Sequence, residues 1–450
     1  WSLLGGDPDV QRANVDRWWR AQQGPSLLWA SSHAVASRLP ALVAAGHRPA
    51  VWAHADHLHR HPSLHTSAGN HRVAELAALW LVRAAMPDAP WPCDELPDVL
   101  HAQLHPDGWP REQSLAYLAH ILEWGALALR CTPTHRPLAA TLSRGLDALL
   151  TVLSDRGHAP SIGDDGGDEV LPGDGAYIPD VAGCVAQLLG RGGPAGWRPG
   201  RRARWLGADG PVIEAEPAPS TTFPHGGLTH LRSPRGQLLF DHGPVGMAPL
   251  AAHGHADALA VWLAVDGAPV LGSRGTSTYH APRAREVQRS SVSHSTVMVA
   301  GRGSSVPHDH PFLWHRQSPG VLDHLRFGPD GGEVAAHHDG WLSALGVVPH
   351  RHVQLAPGQL RVTDHLVGHG RHRVERRWHL APGWRVERRG DLLRLQGPAG
   401  CPEVTVTPSC EVKLVSTEHA VAYGHTEPAA TLIETVVAEL PTARCTTFRW

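Results

Sequence analysis

Two hydrophobic rhythms divide the chain. Up to about residue 205 the apolar residues recur at helical spacing, and from about Phe223 they alternate between short turns. The first amphipathic run opens at Ser32-His33-Ala34-Val35-Ala36-Ser37-Arg38-Leu39, and a His-rich connection, His54 to His65, follows it. The next helix takes Asn70 as its cap, carries Val73, Leu76, Ala77 and Trp80 on one face, and stops before Pro87, Pro90 and Pro92. Another buries a stripe of Leu115, Leu118 and Leu122, with Tyr117 off the stripe. A third runs near Leu138 to Leu153; then come a Gly/Asp-rich loop, one more short helix, and a Gly/Pro/Arg linker from Arg191 to Arg204. The second part holds strands such as QLLFD, LAVWLAV, APVLG, STVMVA, RHVQLAP, QLRVTDHLV, RVERRWHLA, LLRLQG, EVTVTP and EVKLVS. Asp266-Gly267 is a two-residue hairpin turn between two of them. This is the pattern of a β-sandwich.

Composition narrows the function without naming it. A net charge of -2 and a pI near 7.1 argue against nucleic acid or an anionic membrane as partner. Lys413 is the only lysine among 40 basic residues, a bias of codon usage from which no function is drawn. Six scattered cysteines form no C-x-x-C pair; they read as free buried thiols, with Cys401 and Cys410 the one pair able to bridge neighbouring strands. No apolar run approaches the ~20 residues of a membrane helix. The chain begins at Trp1 with no leader, and a secreted or cell-envelope location is favoured over the cytoplasm. P-loop and G-x-G-x-x-G patterns are absent, which argues against nucleotide binding.

The chemistry-bearing stretch is Ala252 to Val299, with His253, His255 and Asp257 in an H-x-H-x-D run and His294 before a later strand. Clustered imidazoles serve metal binding or acid–base work. The same run resembles a metallo-hydrolase motif, but Ala258 stands where that motif wants a histidine.

Taken in order, several motifs resemble those of the heparinase II/III-like polysaccharide lyases. They are Asn70-His71; Asp107-Gly108, Glu112, Ser114 and Tyr117; Gly163-Asp164-Asp165; H-x-H-x-D; Gly275, Thr276 and Tyr279; Arg289 to His294; and His350-Arg351. The resemblance implies a multidomain α and β chain. A short, incomplete α/α toroid (residues 1–205) precedes an antiparallel β-sandwich (206–450), with the active site between them. It implies β-elimination on a uronic-acid glycan, leaving a 4,5-unsaturated uronate end. The partner is an acidic polysaccharide or oligosaccharide. Asn70 and His253 are expected to neutralise the uronate carboxylate, and Tyr117 and His71 to act as base and acid. Trp109, Glu112, Tyr279 and Arg289 are expected to bind substrate, and Arg283, Arg285 and Arg289 are candidates for sulfate recognition. The family's metal ligands would fall on His255, Ser273 and His294. Ser273 stands where the family has aspartate, so zinc or another divalent ion and a simple hydrogen bond through Ser273 both stay open. Asp257 is read as a carboxylate orienting a histidine, and Asp164 and Asp165 as turn residues. The alternatives are an inactive lyase relative that binds glycans and a metal-dependent hydrolase using the H-x-H-x-D run.

Overall fold

The computed structural model describes residues 8–22 and 27–450. Most of its helices come first, the last long one being Tyr177–Leu188 and a short one following at Arg201–Leu206; the strands begin at Thr221–Phe223, with the helices Pro282–Arg289 and Leu342–Leu345 set among them. The helix Leu115–Cys131 lies at the centre of the helical part. It packs against Asn70–Ala85, Arg136–Val152 and Tyr177–Leu188, and Leu115 through Leu129 are all buried. The expected Leu115/Leu118/Leu122 stripe was therefore too narrow. A helix enclosed by neighbours needs no polar face, so Tyr117, off that stripe, is buried as well.

The stretch expected as a mere linker is structured at its end. Arg202 is fully buried and binds Glu123, Glu169 and Asp180, and Glu123 also takes the backbone N–H groups of Val170 and Leu171. A buried guanidinium persists only when paired in this way.

The strands form a nine-stranded and an eight-stranded antiparallel sheet, and a two-stranded one. The Asp266-Gly267 turn forms as expected, with both residues at positive φ and Val265 opposite Ala268. Strands such as Val348–Ala356 and Gln359–Val367 alternate strictly between buried and outward residues. Leu231, Phe240 and Val261 of one sheet meet Val334, Val353 and Leu360 of the other in a shared core. Within it, Asp364 binds Arg351 of its own sheet and Arg376 of the opposite one, and Arg376 also reaches Glu434. The helical core continues into the first sheet through Phe223, Leu228, Leu239, Ala260 and Trp262. All six cysteines are free, so Cys401 and Cys410 do not bridge. No helix among the described residues is long and apolar enough to cross a membrane.

Candidate active site

The site is assembled around the start of the central helix. Ser114 caps it, its Oγ accepting the Tyr117 N–H at 3.2 Å while donating to the Asp164 carbonyl at 2.6 Å. One hydroxyl thus fixes both the helix start and the Gly/Asp-rich loop. Gly163 has φ +65°, and a Cβ there would lie 2.2 Å from the Gln113 carbonyl oxygen, so only glycine lets the loop lie this close. The Asp164 N–H then bonds the His253 carbonyl at 2.9 Å, joining the loop to the sheet region.

Asp164, expected to be a turn residue, is instead the junction of the site. Arg285 grips both its oxygens, Thr276 Oγ1 donates at 3.1 Å, and His255 Nε2 and His253 Nδ1 lie at 2.8 and 3.2 Å. A carboxylate only accepts, so each imidazole presents an N–H to it. Burial alone would raise the Asp164 carboxyl, but Arg285 and the two histidines outweigh it and hold it far below the usual carboxylate range. Arg285 is thereby spent internally, which removes it from the candidates for sulfate recognition; of that trio only Arg283 is exposed.

The Tyr117 ring stacks on His253 with centroids 3.8 Å apart, and its hydroxyl lies 3.2 Å from that of Tyr279. Burial, then the charges of Asp168 and Asp164, push the Tyr117 phenol well above its ordinary value, so at neutral pH it keeps its proton. Tyr423 completes the group, its hydroxyl accepting the Tyr279 N–H at 3.1 Å. Three of the four tyrosines in the chain meet here.

On the helical side, Asn70 is the first residue of its helix rather than the cap. Gly69 is the cap and makes no side-chain bond. Asn70 Nδ2 donates to both Glu112 oxygens at 3.1 Å. Glu112, expected to bind substrate, is therefore turned to holding the amide. His71 lies beside His33, ring centroids 5.0 Å apart, and burial followed by the neighbouring His33 and His253 lowers its pKa to about 4. His33 in turn contacts His120, Nε2 to Nε2, at 2.9 Å. His120 Nδ1 must donate to the Asp168 carbonyl at 2.6 Å, so its Nε2 accepts and His33 Nε2 donates.

Two expected substrate contacts are corrected. Trp109 is fully buried, its Nε1–H on Gln113 Oε1 at 2.7 Å and its ring against Phe223. Arg289 is buried too, donating to the carbonyls of His308, His310 and Leu313 and so holding that loop. The H-x-H-x-D side chains go to three places: His253 under Tyr117, His255 to Asp164, and Asp257 beside Asp241. Asp257 thus orients no histidine. Burial and the Asp241 charge raise its carboxyl well above the ordinary range.

The pair His255 and His294 does not fit a metal. Their rings lie 5.1 Å apart, but His255 Nε2 is committed to Asp164 and His294 Nδ1 to Ser273 Oγ at 2.8 Å. Arg285 already supplies the local cation, and no third ligand of these two histidines lies close among the described residues. His294 Nε2 is left buried without a partner. A cavity of about 620 Å³ is lined by Asp164, Tyr177, Trp262, Thr276 and His419. Asn70, His71, Tyr117 and His253 do not line it.

A family profile described as "Heparinase II/III-like, C-terminal" matches residues 215–450, more than half of the chain. The chain belongs to the heparinase II/III-like family. Solved structures agree on the architecture of this family. A heparinase III has a TM-score of 0.70 at 13% identity, covering 99% of this chain and 74% of its own. A heparan sulfate lyase HepC mutant from Pedobacter heparinus has 0.67 at 14%, covering 98% and 72%. A chondroitin AC lyase mutant from Streptomyces coelicolor A3 has 0.54 at 12%, covering 95% and 68%. No curated protein matches. At such identities the likeness establishes the fold: a helical toroid followed by an antiparallel β-sandwich.

Proposed function

We propose that this chain is a polysaccharide lyase that cleaves a uronic-acid glycan by β-elimination. The observation that carries the reading is the stack of Tyr117 on His253, a helix residue against a residue of the loop between strands Gly236–Asp241 and Val261–Val265, with Asp164 behind the imidazole. Elimination needs the uronate carboxylate neutralised, the C5 proton removed, and the departing O4 protonated. The Asn70 amide, oriented by Glu112, and the His253 ring, backed by the Asp164 charge, suit the carboxylate. The expected roles are reversed: His71, unprotonated above about pH 4, suits the base, and Tyr117, held as the phenol, suits the acid. The C5 proton goes to His71, the C5–H electron pair forms the C4=C5 double bond, the C4–O4 bond breaks, and the Tyr117 proton goes to O4. Tyr279, hydrogen-bonded to the Tyr117 hydroxyl, is placed to line the substrate.

The deciding experiment mixes the protein with a panel of uronate polymers, sulfated and unsulfated, and follows the ultraviolet absorbance of the conjugated uronate end. A rise with one polymer supports the reading. Binding without a rise leaves a glycan-binding lyase relative, and new reducing ends without absorbance mean hydrolysis.

A further inference from the structure

On the outer face of the eight-stranded sheet, two histidines and an aspartate converge, one of them the His350 of the His350-Arg351 motif. His337 and His350 are directly opposed in the register of neighbouring strands Gly331–His337 and Val348–Ala356, so their side chains stand on one face. The edge strand Val321–Gly328 runs alongside with a β-bulge: His324 pairs with Ala335 and Leu322 with Ala336, leaving Asp323 as the extra residue. A bulge re-aims a side chain, and here it brings Asp323 to the two imidazoles. His337 Nδ1 lies 2.6 Å from Oδ1, His350 Nδ1 lies 3.0 Å from Oδ2, and the ring centroids are 5.0 Å apart. Among the described residues this is the one group of three such side chains whose ligand atoms all lie within 4.8 Å of one another.

We propose that Asp323, His337 and His350 bind a single divalent transition-metal ion, zinc by preference, which clips the edge strand to the sandwich. Two imidazoles and a carboxylate are donors for zinc-like ions and poor ones for calcium or magnesium. A tetrahedral ion with ~2.0 Å arms holds its ligand atoms about 3.3 Å apart, so the 2.6 and 3.0 Å nitrogen–oxygen contacts open by roughly 0.7 and 0.3 Å to admit one. The side chains are 29–38% exposed, which leaves a path for the ion and a coordination position for water. The gain falls where the sheet is weakest. Val321–Gly328 is an edge strand with almost every residue exposed, and the ion would tie it to two inner strands.

The test uses the full chain, stripped of metal by chelator and dialysis, in three forms: wild type, His337→Ala/His350→Ala, and a control, His324→Ala/His352→Ala. The control removes the neighbouring imidazoles that flank Glu333 on the same sheet. Each is titrated with zinc chloride by calorimetry and with cobalt chloride by visible absorbance, and melted with and without zinc. Wild type and control should bind one equivalent tightly and melt higher with zinc. The double variant should match them without zinc and lose the tight equivalent by about a hundredfold or more, since outer-shell partners alone are worth ~10–100-fold. The proposal is overturned if wild type has no tight equivalent, if the double variant keeps it, or if the control loses it.

Discussion

Asp164 has two carboxylate oxygens and five donors aimed at them, from Arg285, His253, His255 and Thr276. Replacing it with asparagine removes the charge that balances a buried guanidinium, a loss of about 3–5 kcal/mol for a broken buried pair. Asp164→Asn should therefore lower stability in chemical denaturation and abolish elimination together. Tyr117→Phe separates the two, because it deletes a hydroxyl and keeps the ring on His253. Elimination should fall by ~10²–10⁴-fold, the range for a lost acid–base group, with the melting temperature nearly unchanged. Turnover close to wild type would remove Tyr117 from the chemistry. If His71 is the base, the acid limb of kcat/KM belongs to its lowered pKa, so activity should persist below pH 6 and fall only toward about pH 4. Asn70, His71, Tyr117 and His253 were legible as motif residues. Asp164 and Arg285 were read in other roles, as a turn residue and a sulfate candidate, and His33 and His120 were given none, because what they bind is decided by which loops the fold brings together. A signal was available in the tyrosines: with four in the chain, Tyr279 and Tyr423 were worth pairing with Tyr117.

Among the elements, strands with one buried face were readable from alternation, as Val348–Ala356 illustrates. Val321–Gly328 was missed because an edge strand with exposed residues on both faces has no such rhythm. The expected cap at Asn70 failed for a local reason: Gly69 takes that position, where a Cβ would lie 2.6 Å from Glu112 Oε1. The strand Gly236–Asp241 and the H-x-H-x-D turn bring Asp241 and Asp257 together, and burial raises both carboxyls, Asp241 to about 7. Their folded pKa values lie above the unfolded 3.8, so the folded state binds more protons and stability falls as pH rises from about 4 to about 7. Asp257→Asn should flatten that slope and raise the melting temperature at pH 8. An unchanged pH profile would mean that the pair does not titrate in this window. Across the sheets, Arg376→Met leaves Glu434 without its cation and Asp364 with Arg351 alone, and should cost about 3–5 kcal/mol, read from the denaturation midpoint.

At the scale of the molecule, the helical core takes in residues of the first sheet, and many bonds cross between the two parts. Trp262 Nε1 bonds the Ser161 carbonyl, Gln237 bridges Leu153 and Asp155, and Asp107 takes the N–H groups of His225 and Gly226. Calorimetry should accordingly show one cooperative transition; two separate ones would contradict the shared core. The division into a helical and a sheet half was visible in the change of hydrophobic period. The join was not, because Phe223 and Trp262 alternate like ordinary strand residues while packing into helices.

The sealed pairing of Arg285 with Asp164 bears on how this protein should answer to dissolved salt. Mobile ions screen charges over ~8 Å at physiological strength, but they reach only what water reaches. Raising sodium chloride should therefore weaken capture of a polyanion, visible as a rising KM, while kcat stays nearly level because the charges behind the imidazoles lie beyond the counter-ions' reach.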